Sequence, residues 1–96
     1  MNVLIWKARC RILTEPQSLK EKRGVVKSVL ARIRNKFPFS AAEVGQHDML
    51  NVLEIGVVGV AVERSDLERQ VERMRVALER DFPVEFYEED LSIETA

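Results

Sequence analysis

The sequence is poor in the residues that cross-link, hinge or anchor a protein. Its one cysteine, Cys10, cannot form an internal disulfide and has no Cys or His partner at the spacing of metal ligands. Four glycines and three prolines among 96 residues argue against a linker or a disordered chain. No apolar run approaches the length of a membrane span, and the first residues lack the pattern of a signal peptide. We therefore expect a single cytoplasmic domain over residues 1–96 that makes no membrane contact.

The charged residues are separated along the chain. Residues 1–36 hold ten Lys or Arg and two Glu, a net charge of +8, whereas residues 37–96 hold five Arg and fourteen Asp or Glu, a net charge of −9. The total of −1 therefore conceals a strongly polar molecule. Such asymmetry is typical of proteins that bind a polyanion such as nucleic acid, or a complementary protein surface.

Hydrophobic periodicity predicts the element order β-α-β-β-α-β. Four strands are predicted at residues 3–13, 39–46, 52–62 and 84–93, and the third is apolar enough to be covered on both faces. Two helices, ending near residues 36 and 81, each follow a Ser-x-x-Glu capping box: Ser18 with Glu21, and Ser65 with Glu68. In one short domain this order indicates an α+β ferredoxin-like plait, a four-stranded antiparallel sheet with both helices on one face.

This topology makes the first and third strands central and leaves one face of the sheet uncovered. Alternation places Lys7, Arg9 and Arg11 on that open face. The same face receives an apolar set, Val3, Ile5, Val58, Val60 and Val62. An uncovered apolar surface favours burial against another protein, and we expect a homodimer through this face.

The first helix predicts a second basic surface. Lys20, Arg23, Lys27 and Arg34 fall within one narrow sector beside the buried stripe. Both groups of cations are candidates for neutralising phosphates. The alternative is that the helix cations form an ordinary solvated surface and that Glu88 or Asp90 of the acidic last strand neutralises the strand cations within the sheet.

The sequence offers little for catalysis. It contains no phosphate-binding glycine loop, no nucleophile elbow and no zinc-ligand spacing, so we expect no cofactor, no metal and no catalytic residue. Glu43, His47 and Asp48 are the remaining candidates for an enzyme, and for Glu43 a salt bridge to the helix cations is the favoured role. Cys10 falls on the apolar face of its strand, where a free cysteine usually packs as a small hydrophobe.

Several segments resemble a known family. They are residues 17–23, 25–26, 32–34 and 42–45, continued by Asp48, residues 55–56 and residues 62–66. In these segments the chain resembles the YlxP-like family of small bacterial proteins, which is classed as one of unknown function. The resemblance implies the ferredoxin-like plait and a translation-associated role on the ribosome or on RNA.

Two functions follow from these observations. The first is a non-catalytic module that binds ribosomal or other structured RNA, with ribosomal RNA or a ribosomal subunit as its partner. The second is a homo-oligomeric protein-interaction module with no role on nucleic acid. Readout of single-stranded RNA by base stacking is disfavoured, because the outward positions of the two central strands carry no Phe or Tyr.

Overall fold

The computed structural model describes residues 1–96 and has the predicted element order. The strands are β1 (Asn2–Ile12), β2 (Ser40–Gly45), β3 (Val52–Ala61) and β4 (Val84–Thr95). The helices are α1 (Leu19–Lys36) and α2 (Arg64–Asp81). All strand pairs are antiparallel, and the order across the sheet is β2-β3-β1-β4. The prediction of a ferredoxin-like plait with β1 and β3 at its centre is therefore confirmed.

One core lies between the sheet and the two helices. Every second residue of β1 is buried there: Leu4, Trp6, Ala8, Cys10 and Ile12. The helices contribute apolar stripes at helical spacing, including Val26, Val29, Leu30 and Ile33 from α1 and Leu67, Val71, Met74 and Leu78 from α2. Because each large apolar side chain contributes about 1.5–3 kcal/mol when fully buried, this single layer can hold the fold without cross-links. Neither helix has the length and apolar character that crossing a membrane requires.

The two helices begin differently. At α1 the Ser18 Oγ accepts a hydrogen bond from the Glu21 backbone N–H at 3.2 Å, as the capping box predicts. The prediction of a second capping box is wrong, because α2 begins at Arg64 with Glu63 as its N-cap and has no side-chain cap. Ser65 therefore lies inside the first turn, and the Glu68 carboxylate is 3.5 Å from the Arg64 guanidinium.

The sequence predicts that β3 is covered on both faces. Within a single copy of the chain this is wrong, because the helices cover one face only. The pairing of β1 with β3 confirms that Val58 and Val60 share the open face with Val3 and Ile5, and Ile5, Val58 and Val60 are exposed. Val62 is exposed as well, but it lies beyond the end of β3. On this face the Val44 side chain lies against Gly56. The apolar composition of β3 is thus only half explained by the monomer.

Candidate nucleic-acid interface

The four predicted helix cations are all exposed, and we call them the α1 ridge: Lys20, Arg23, Lys27 and Arg34. Helix geometry places them within a sector of about 60° and along about 21 Å of the helix. The ridge faces the β2 edge of the sheet, because the Arg34 Nη2 donates a hydrogen bond to the Ala41 carbonyl oxygen at 2.7 Å. Because α1 is one helix over all four positions, these side chains lie along one side of it, as the sequence predicts.

No cation of the α1 ridge is paired with an acid. Across the whole chain, no carboxylate oxygen lies within 4.0 Å of the charged nitrogens of these four side chains. The acidic residues are concentrated on β4 and α2, and β4 is the edge strand furthest from β2. The positive charge of the ridge is consequently not neutralised by the fold.

The strand cations have different surroundings. Strand register places Lys7, Arg9 and Arg11 on the open face, directly beside the acidic side chains of β4. The Arg9 guanidinium lies 3.5 Å from Glu88, and that of Arg11 lies 3.9 Å from Glu85. Lys7 stands opposite Asp90 in the register but has no carboxylate within 4.0 Å. The structure therefore favours internal neutralisation for Arg9 and Arg11.

Arg9 also makes the shortest ion pair on the open face. Its Nε donates to the Glu54 Oε1 at 2.5 Å, and Glu54 is only 6% exposed. This hydrogen bond holds the pKa of Glu54 below its usual value and raises the pKa of Arg9. Gly45 makes room for the pair, since a β-carbon at that position would overlap the Glu54 carboxylate. Arg9 is thus paired with a buried acid, Glu54.

Sequence reasoning missed Glu54, although a signal was present. Glu54 is the single charged residue in the apolar run 52–62, and its position in the alternation is that of the open face. A lone acid in such a strand, beside a strand carrying three outward cations, predicts a cross-strand pair.

A buried lysine was also missed. Lys22 is 2% exposed, and its Nζ donates to the Gln46 carbonyl oxygen at 2.6 Å. The same nitrogen lies 3.3 Å from the Glu43 Oε2, so Glu43 does pair with a cation of α1, but this cation is the buried Lys22 and not one of the four predicted helix cations. Residue 22 lies three positions after Leu19 and four before Val26, so the helical spacing alone places it on the buried stripe.

Lys22 and Glu43 organise the loop between β2 and β3. Gln46, whose carbonyl oxygen accepts from Lys22, has a φ of 56°, in the left-handed region that non-glycine residues seldom adopt. His47 follows it, and its Nε2 lies 3.8 Å from the Glu43 Oε1, beyond hydrogen-bond distance. These contacts give Glu43 a role in anchoring the loop.

Cys10 is fully buried in the core. Burial raises the pKa of its thiol to about 12, with a further contribution from the negative charge of Glu79. The thiolate that a nucleophile requires is therefore scarce at neutral pH, in agreement with the predicted packing role.

Aromatic side chains are mostly unavailable for stacking on bases. Trp6 is 1% exposed, packs edge-on against Phe86 with 5.3 Å between ring centroids, and donates from Nε1 to Glu89 at 3.1 Å. The exposed aromatic ring is that of Tyr87, at the irregularity where β4 pairs with β1 near Arg9. The two central strands carry no outward aromatic ring, as the sequence predicts.

These features define a small ferredoxin-like α+β domain with an unpaired basic helix edge and a charge-paired, partly apolar open sheet face. Residues 3–91 match the family described as "Protein of unknown function (DUF503)", and the chain belongs to this family. It is also 37% identical over 68 residues to a protein of Bacillus subtilis (strain 168) described as "Uncharacterized protein YlxP". That match covers 70% of this chain and 74% of the Bacillus protein.

Proposed function

We propose that this protein is a non-catalytic module that binds structured RNA, such as ribosomal RNA in a ribosomal subunit, through the phosphate backbone. The observation that carries the proposal is the α1 ridge, four exposed cations along one helix edge without an acidic partner. Lys and Arg in such an arrangement suit phosphate groups and read shape rather than base sequence. A role on the ribosome also implies a cytoplasmic location.

The strand cations contribute less to this proposal. Arg9 and Arg11 already lie within 4.0 Å of carboxylates, so an RNA phosphate would have to compete with those partners. Lys7 has no such pair, but it is a single unpaired cation on the open face. We therefore assign RNA binding to the α1 ridge, with Lys7, Arg9 and Arg11 as a minor extension.

The test is binding to ribosomal subunits and to naked ribosomal RNA over a salt series. Four phosphate contacts give a plot of log affinity against log salt with a slope of about −2.8 to −3.6. Replacing Lys20, Arg23, Lys27 and Arg34 with Gln should remove most of this slope and weaken binding at low salt. Folded wild-type protein that binds neither target at low salt contradicts the proposal.

A control variant separates the ridge from net charge. Lys20→Gln/Lys27→Gln and Arg64→Gln/Arg69→Gln each remove two positive charges from exposed helix positions. Arg64 and Arg69 already pair with Glu68 and Asp66, at 3.5 and 2.6 Å. Equal losses of RNA affinity in the two variants would show that only total charge matters and would contradict a defined interface.

The open sheet face supports a second candidate function, self-association. Ile5, Val44, Val58 and Val60 are each about half exposed. The first three border a shallow cavity of about 420 Å³, and Val60 lies two residues further along β3 on the same face. We call these four residues the open-face patch. Contiguous exposed apolar surface of this kind is typical of protein interfaces, and a second copy would cover the uncovered side of β3.

Self-association has its own test. Sedimentation of the wild-type protein over a range of concentrations should show a dimer, and Val58→Asp should yield a folded monomer, because a charge at the centre of a dimer interface is costly to bury. A monomer at all concentrations would exclude this candidate. RNA binding that persists in the monomeric variant would show that the two properties are separate.

A further inference from the structure

A groove runs between the two helices on the side of α1 opposite the ridge. Its volume is about 530 Å³, within the range of small-molecule sites. The α1 side is formed by Arg32, Lys36 and Phe37, and the α2 side by residues between Glu72 and Arg80. The Arg32–Asp81 ion pair bridges the two helices beside this groove.

The groove is strongly basic. Four cations line it, Arg32, Lys36, Arg73 and Arg80, against one lining acid, Glu72. That acid is itself paired with Arg75, whose Nη2 lies 3.3 Å from the Glu72 Oε2. Lys36 and Arg73 are exposed and have no carboxylate within 4.0 Å. The groove thus retains unneutralised positive charge on both of its walls.

Asp81 holds the two remaining cations together. Its Oδ2 accepts from Arg32 at 2.5 Å and from Arg80 at 3.0 Å, so the two guanidinium groups meet on one oxygen atom. These hydrogen bonds hold the pKa of Asp81 well below its usual value. The Arg32 guanidinium also lies 5.1 Å from the centre of the Phe82 ring, which fixes its orientation. One carboxylate balances only one of the two charges.

The rest of the lining is apolar. Phe37, Val76 and Ala77 complete the groove, and Val76 is exposed although it is a large aliphatic residue. An anion alone would leave this surface bare. A ligand that carries both an anionic group and an apolar or planar body would contact both parts of the groove.

We propose that the groove between α1 and α2 binds a small ligand whose phosphoryl group is held by Lys36 and Arg73, in the positive field of Arg32 and Arg80, and whose apolar or planar body lies on Phe37 and Val76. This site is distinct from the RNA surface, because the α1 ridge lies on the other side of the helix. It therefore stands or fails independently of the proposed RNA binding.

Adenosine monophosphate is the first probe, compared with adenosine and with inorganic phosphate by NMR titration at low salt. We expect saturable binding of adenosine monophosphate, with a Kd about tenfold or more below those of its two parts, and with chemical-shift changes confined to the groove. Lys36→Gln/Arg73→Gln should raise that Kd by about tenfold or more, because each side chain donates to the phosphoryl oxygens. Lys20→Gln/Lys27→Gln removes the same charge from the other side of α1 and should leave the Kd unchanged.

Three results would overturn the proposal. One is the absence of saturable binding by adenosine monophosphate and phosphate. Another is an equal loss of affinity in the groove variant and in the Lys20→Gln/Lys27→Gln control, which would indicate charge screening only. The third is a groove variant that loses RNA affinity while no nucleotide binds, which would make the groove part of the RNA surface. Circular dichroism of both variants verifies that neither substitution unfolds the protein.

Discussion

The α1 ridge and the outward face of β1 carry the same kinds of side chain but differ in what lies beside them. On the ridge, Lys20, Arg23 and Lys27 have no acidic neighbour within 4.0 Å. On β1, Arg9 lies between Glu54 of β3 and Glu88 of β4, and Arg11 pairs with Glu85 of β4. The cations behind the +8 net charge of residues 1–36 therefore fall into two groups, one paired within the fold and one left unpaired.

This comparison separates the cations that stabilise the fold from those that are available to a partner. A paired cation contributes to the stability of the fold, and its removal strands an acid; a free cation contributes little to folding and is available to a partner. We therefore expect substitutions of paired cations to change the free energy of unfolding, and substitutions of free cations to change binding.

The largest effect is expected at Lys22. Lys22→Met preserves the length of the side chain but leaves the Glu43 carboxylate and the Gln46 carbonyl oxygen buried without their cation. Stranding such groups should cost about 3 kcal/mol. For a domain of this size that loss lowers the Tm by roughly 12–24 °C, which thermal denaturation will measure.

The control for this variant is two residues away. Lys20→Met makes the same chemical change at an exposed ridge position, and we expect the free energy of unfolding to change by no more than about 0.5 kcal/mol. RNA binding should respond in the opposite way, with a loss for Lys20→Met and none for Lys22→Met below its Tm. If both variants lose the same stability, the division between paired and free cations is wrong.

The sequence predicts the fold well because its periodicity is local. Alternation in β1 and helical spacing in α1 each identify the buried face without knowledge of the neighbours. The start of α2 was missed because Ser65-x-x-Glu68 has the same local pattern as a true capping box, while the helix begins two residues earlier, at Arg64 with Glu63 as its N-cap. The last strand reaches Thr95 rather than residue 93 because Asn2 of β1 pairs with it there.

The site is only half predictable for a physical reason. The α1 ridge depends on positions within one helix, so the sequence places its residues correctly. The pairing of Arg9 with Glu54 and Glu88 depends on the registers of three strands, including an irregularity after Arg9 where β1 meets β4. The lone acid Glu54 signals a cross-strand pair, but no local pattern specifies the register that selects Arg9 as its partner.

The smaller effect concerns Arg9, and it depends on pH. The pKa of Glu54 is lower in the folded protein than in the unfolded chain, so its contribution to stability is present above about pH 4.3 and is lost as the pH falls through the folded pKa. Arg9→Gln removes the hydrogen bond that lowers this pKa. We therefore expect the variant to be less stable than the wild type at pH 7, and the difference to shrink at acid pH.

Urea denaturation at pH 7, 5 and 3 measures this difference. The low pKa of Asp81 makes both proteins lose stability in acid, but it contributes equally to each and cancels in the comparison. Arg11→Gln is the matched control, because Arg11 and Glu85 are both more than half exposed and 3.9 Å apart, a pair that contributes little to stability. A gap between wild type and Arg9→Gln that stays constant from pH 7 to pH 3 would show that Glu54 does not couple to Arg9. In that case Arg9 would count as an unpaired cation, and the open face would again be a candidate part of the RNA-binding surface.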